Sequence, residues 1–299
     1  MELSWLMKLR IAAVVATGVV LIGIFAWPLI SPPEPFGVVS LVGGTISFGD
    51  SVIVMALAFS SGLLAYFLAW PFGRQIGILA VPAGLTIWAV RSGSMASLMQ
   101  LNPSVTQRQA LFAVLRWEPF FWLAVVAAGF LGVLTSQKIH SKPEPDAAEH
   151  GSKPNIYLNS AMALAASALV AQFSVMLLAQ DVRFLDGKLG SVVAQPAIGQ
   201  LVFAVSVSFG LAAFIVKKFL NAGCIWPIIA AALVTAFSVS TYGRQDILLY
   251  LTQHWPGVFF SNAVLAVLPV QMVAFGTLGS IAGYWLAVRY DYWRQHESG

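Results

Sequence analysis

Residues 157–179 read YLNSAMALAASALVAQFSVMLLA, a run without a single charged side chain. Wound as a helix, it rises about 34 Å at 1.5 Å per residue, enough to cross a hydrocarbon layer about 30 Å thick. Inside lipid the backbone has no water to bond with, so such a run must close its hydrogen bonds on itself as a helix. The apolar residues are continuous and do not alternate with polar ones as in a membrane β-barrel.

Working outward, residues 11–30, 51–70, 76–90, 119–134, 198–215, 224–241 and 263–288 have the same character. The sequence therefore predicts an all-α polytopic membrane protein with about eight transmembrane helices. Composition agrees, because only 9% of the 299 residues are charged and 59% are hydrophobic, whereas a soluble domain is about 25% charged. Mean hydropathy is +0.82. So few ionised groups cannot solvate a folded exterior in water. Lys8 and Arg10 before the run over 11–30 resemble a signal peptide. That run outlasts the roughly 7–15 residues of a cleavable core and ends in Trp27-Pro28, so it reads as a retained first span.

Two spans are short as first drawn. Residues 76–90 are expected to continue through Arg91 to Met95, and residues 119–134 to borrow the turn at Trp117. The alternative is a re-entrant 76–90 and seven crossings. Lys and Arg counts favour eight. With both termini cytoplasmic, Lys8, Arg10, Arg74, Lys138, Lys142, Lys153, Lys217, Lys218, Arg289 and Arg294 lie inside. Arg91, Arg108, Arg116, Arg183, Lys188 and Arg244 then lie outside. The expected location is a bacterial inner (plasma) membrane.

Residues 136–155 read SQKIHSKPEPDAAEHGSKPN, a polar stretch with three prolines and mixed charge. Its composition is that of a linker, and the spacing of His140 and His150 fits no metal motif. It divides the chain into a first membrane half (1–135), a cytoplasmic linker (136–156) and a second half (157–299). The halves resemble each other. Ser60-Ser61-Gly62-Leu63 aligns with Ser208-Phe209-Gly210-Leu211, and Pro82 matches Pro227 as a proline expected to kink the third span. Arg108-Gln109, Trp117 and Phe120-Phe121 correspond to Arg244-Gln245, Trp255 and Phe259-Phe260. Four spans per half make the repeat parallel, about an axis along the membrane normal. Each half also predicts a short helix before its fourth span. In the first, Ser104 is the cap and Leu111, Phe112 and Leu115 form the apolar face. Trp117 and Trp255 are the expected interfacial anchors.

The sequence excludes several kinds of chemistry. All 16 Lys and Arg and all 12 Asp and Glu fall in loops or at span edges, which argues against transport coupled to a carboxylate at mid-membrane. Cys224, the single cysteine, rules out an internal disulfide and reads as a small apolar helical residue. No Lys/Arg stripe suits nucleic acid, although the net charge is +4. Hydrolase, zinc-protease and nucleotide-binding motifs are missing. Gly187-Lys188-Leu189-Gly190-Ser191 resembles a phosphate loop only in outline and lacks its spacing. No histidine lies in a span to ligate haem. The sequence implies no cofactor and no enzyme.

The remaining candidates are polar groups. Arg91, with Glu118 and Arg116 nearby, is the candidate polar or anion site. Gln172, Gln200 and Gln271, among other uncharged polar residues of the second half, are candidates for a polar path or for helix packing beside Gly276, Gly279 and Gly283. The expected function is non-catalytic, a structural or assembly subunit of a membrane complex. Its partners would be the lipid bilayer and other membrane proteins or further copies of itself. The alternative is a permease or channel for a neutral or lipid-like solute.

Overall fold

The computed structural model describes residues 4–32, 37–42, 46–140, 156–255 and 257–297. It contains eight helices long and apolar enough to cross a membrane, and the protein is an integral membrane protein of all-α class. The first span opens with α1 (Trp5–Gly18), capped by Ser4, and runs on through a π-helical stretch, Val19–Phe25, into the single turn α2 (Trp27–Ile30). The second, α3 (Phe48–Leu68), starts earlier than the apolar run because Ser47 and Asp50 form a reciprocal capping box.

The third span gains its length in the opposite direction from the one expected. It begins with α4 (Gly73–Ile76), tightens to a 3-10 turn over Gly77–Leu79, and continues as α5 (Ala80–Arg91). The helix stops at Arg91, because Ser94 caps a separate helix, α6 (Met95–Leu101), through a bond from the Ser97 amide. At 19 residues the third span covers about 28 Å, which removes the shortfall behind the re-entrant alternative. Pro82 lies where α5 restarts after the 3-10 turn.

Ser104 caps α7 (Val105–Leu115) in a capping box with Gln107, and Leu111, Phe112 and Leu115 are buried as the periodicity requires. A turn at Arg116 and Trp117 precedes α8 (Glu118–His140). The fourth span's helix thus follows directly on the turn containing Trp117 and also extends downstream to His140. Ser136 is buried within it, its hydroxyl donating to the Gly132 carbonyl, so the first residues of the polar segment continue α8 as far as His140. The rest of that segment, with Lys142, Lys153 and His150, lies outside the described residues, as does Pro256.

Next come α9 (Ile156–Leu178), an antiparallel hairpin of β1 (Arg183–Asp186) and β2 (Gly190–Val193), then α10 (Ile198–Leu220). Asn221 ends α10 in the left-handed conformation, at φ 48°. Cys224 stands at the start of α11 (Ile225–Tyr242), one position outside the helix in which it was expected. Pro227 falls in the first turn of α11, where no intrahelical bond is lost, so it does not kink the span as expected. The chain continues through α12 (Gln245–His254) and a 3-10 turn, Ala263–Ala266, to α13 (Pro269–Glu297). The eighth span therefore starts at Pro269, a residue suited to open a helix.

Contacts gather the described residues into two compact units. One draws on Met1–Ser31, Ile46–Trp88 and Ala124–Ser160. There α3 and α8 approach through glycine, since a Cβ added at Gly62 would run into the Gly129 carbonyl. The other draws on Pro32–Thr45, Ala89–Leu123 and Ala161–Gly299. Its core pairs α10 with α13 in parallel, where a Cβ at Gly279 would meet the Ser206 carbonyl and one at Gly283 the Gly210 carbonyl.

Candidate functional site

Charged groups are scarce in this protein, and in the second unit one of them is wholly buried. Glu118 opens α8, where the unbonded N–H groups of a helix start favour a carboxylate. Trp122, one turn on, donates its indole N–H to Oε1 at 2.9 Å. Oε2 accepts the Ser40 hydroxyl at 2.5 Å and the Leu41 amide at 3.2 Å. The Ser40 hydroxyl oxygen accepts the Val42 amide, and Ser92 accepts the Val39 amide, both at 3.2 Å. Glu118 and Ser92 together therefore hold segment 37–42 by its backbone. Acceptors engaged in this way position a chain and leave no carboxylate oxygen open to a passing solute.

The two arginines proposed alongside Glu118 are exposed, whereas Glu118 is buried. Arg91 ends α5 and is exposed, and Arg116 is exposed with its guanidinium 5.4 Å over the Trp117 ring. Trp117 itself is 63% exposed, which suits a group meeting the bilayer surface.

The three glutamines separate. Gln271 is buried, accepts the Leu268 amide at 3.0 Å and donates to the Ala89 carbonyl at 3.1 Å. Gln200 donates to the carbonyls of Leu178 and Gln180 at 3.2 and 2.8 Å, satisfying acceptors at the end of α9. Gln172 makes no hydrogen bond to a described residue and is half-buried. It lies on a groove of about 650 Å³ with Leu169, Phe173 and Met176 of α9 and Phe237 of α11. Gln195, which the sequence did not single out, accepts the Ala96 amide and donates to the Ala266 carbonyl, both at 3.0 Å. Its place between two spans, just before Pro196, gave no periodic signal.

The hairpin was also missed, although Asp186-Gly187 is a standard turn signal. Asp186 Oδ1 accepts the amides of Lys188 and Leu189 at 2.9 and 2.7 Å, which shapes the turn. Its Oδ2 accepts the Tyr250 hydroxyl at 3.1 Å and the Trp255 indole at 3.0 Å, docking the hairpin on α12. The segment Gly187 to Ser191 is thus a hairpin turn. The Leu189 amide above all, then the Trp255 indole, the Lys188 amide and the Tyr250 hydroxyl, hold the Asp186 carboxyl below its ordinary range against an opposing push from desolvation. Desolvation and the Asp186 contact raise the Tyr250 hydroxyl. Trp255 rests 4.9 Å from Phe259 and 5.8 Å from Phe184 between ring centroids. Trp255 is therefore a docking residue, a role the sequence did not assign to it.

Among the described residues, no group of three or more His, Cys, Asp or Glu gathers where a metal ion could be held. Comparisons with protein-family models, curated proteins and solved structures gave no match.

Proposed function

We propose that this protein is a non-catalytic membrane subunit whose helices assemble in the bilayer with further copies or with other membrane proteins. The observation that carries this reading is Gln172. An amide in mid-span with no hydrogen bond to a described residue, set in an apolar groove, is costly against lipid and is satisfied when a partner helix supplies a donor and an acceptor. Gln200 and Gln271 support the same reading, because both are spent on backbone groups.

The proposal includes two four-helix halves, 1–135 and 157–299, related by parallel duplication and joined by a cytoplasmic polar segment, 136–156. Two observations support the duplication. Second and fourth spans pack in parallel through glycine in both halves, α3 with α8 and α10 with α13. The matched short helices α7 and α12 also pack against each other within the second unit. By the distribution of Lys and Arg, both termini face the cytoplasm of a bacterial inner membrane.

The test is native mass spectrometry of the protein in mild detergent and in nanodiscs. The intact chain should run as an oligomer or with a stoichiometric partner. Gln172→Leu should shift it to monomer while its unfolding temperature holds. A lone monomer that moves solute in liposomes would overturn the reading. That outcome belongs to the alternative, a permease or channel for a neutral or lipid-like solute. It is favoured by the buried hydroxyls of Ser208, Ser238 and Thr277 in α10, α11 and α13, which have no hydrogen-bond partner among the described residues.

A further inference from the structure

In the second unit the parallel pairing of α10 and α13 brings their C-terminal ends to one level. There Phe214, Leu286, Arg289, Tyr290 and Trp293 line an open groove of about 310 Å³. The floor is apolar, with Phe214 edge-on to Tyr290 at 6.0 Å between centroids. The rim is cationic. Lys218 Nζ lies 4.5 Å from the Tyr290 ring centroid and 5.8 Å from that of Phe214, and the Arg289 guanidinium lies 4.5 Å over Trp293. Lys217, beside it in the last turn of α10, bonds Asn221 Oδ1 at 2.5 Å. Asp291 is turned roughly 200° around α13 from Arg289, at 100° per residue, and so falls on another face of the helix.

Two cations above an apolar slot, at the end of membrane-crossing helices, match an amphiphile with an anionic head. A free anion would leave the slot empty, and a zwitterionic lipid would bring its own cation to the rim. We propose that this groove binds one anionic phospholipid of the surrounding bilayer. Its phosphate meets Lys218 and Arg289, and an acyl chain lies along Phe214 and Leu286. Lys218 suits this place for a second reason, since it lies in the last turn of α10 and the carbonyl end of a helix favours positive charge. The site owes nothing to Gln172, so it stands whether or not the chain assembles.

The experiment is native mass spectrometry of the purified full-length chain with phosphatidylglycerol or phosphatidylcholine of identical acyl chains. Wild type should retain one phosphatidylglycerol in preference, by about thirtyfold for two interfacial charges. Lys218→Gln with Arg289→Gln should abolish that preference. Lys218→Arg with Arg289→Lys should keep it, which separates lost charge from lost fold. Arg183→Gln, on the hairpin, should change nothing. Equal retention of both lipids, or a charge-neutral variant that binds as wild type does, would overturn the proposal. So would displacement of the lipid by millimolar inorganic phosphate, which would mark a free-anion site.

Discussion

Glu118 shows how one ionisable residue can be structural in a chain with almost none to spare. Its two oxygens serve three donors, and without them the Ser40 hydroxyl, the Leu41 amide and the Trp122 indole lose an acceptor. Glu118→Ala should therefore cost on the order of 3 kcal/mol or more, read as a fall in unfolding temperature in detergent, and Glu118→Gln should cost less because one acceptor survives. If Glu118→Ala melted like wild type, segment 37–42 would not depend on this residue. Asp186 makes a second prediction at this scale. Its carboxyl is held below the usual value, so its contribution is complete above the ordinary 3.8 and disappears as the pH falls through the lowered folded value. Acid titration of tryptophan emission should show a step as the hairpin leaves Trp255, and Asp186→Asn should lack it. An identical step in the variant would assign the signal to another group. Of these two residues, only Glu118 drew attention in the sequence, because an acidic residue at a span edge stands out. Its partner Ser40 lies in a segment with no periodicity to betray it.

Among the elements, helix contact is set by small residues. Gly283 faces the Gly210 carbonyl, and any side chain there must push α10 and α13 apart. Gly283→Leu should destabilise by on the order of 3 kcal/mol and lower the folded yield. Gly199→Ala, near the start of α10 with nothing within 4 Å of the added carbon, should be neutral or stabilise by about 0.5 kcal/mol. Size-exclusion profiles and thermal unfolding of the two variants make the comparison, and equal stability would show that close approach at Gly283 is not required. The small residues of α13 were visible in the sequence, but their partners were not. A glycine stripe states that something comes near without stating which helix.

For the whole molecule, the proposal that α9 crosses the bilayer requires the stretches before and after it to be reached from opposite sides of the membrane. In a Cys224→Ser background, cysteines placed by Ser152→Cys and Gly187→Cys should react with an impermeant maleimide from opposite faces of sealed vesicles. Labelling of both from one face would mean that α9 does not cross. The grouping of Ala89–Leu123 with Ala161–Gly299 is a property of this scale alone, since it joins stretches far apart along the chain.

What the amino-acid order determined by itself was the medium and the helical nature of the long apolar runs. Long uncharged runs can lower their free energy only as helices in hydrocarbon, and that is a local matter of length, composition and backbone hydrogen bonding. Caps belong to the same class, and Ser104 could be read directly because its bonds reach only three residues. The tertiary structure decided where the isolated polar groups find partners. Ser40 and Glu118, Ala89 and Gln271, and Asp186 and Trp255 are remote in sequence. A hydrogen bond depends on distance in space, and separation along the chain says nothing of it until the helices have packed.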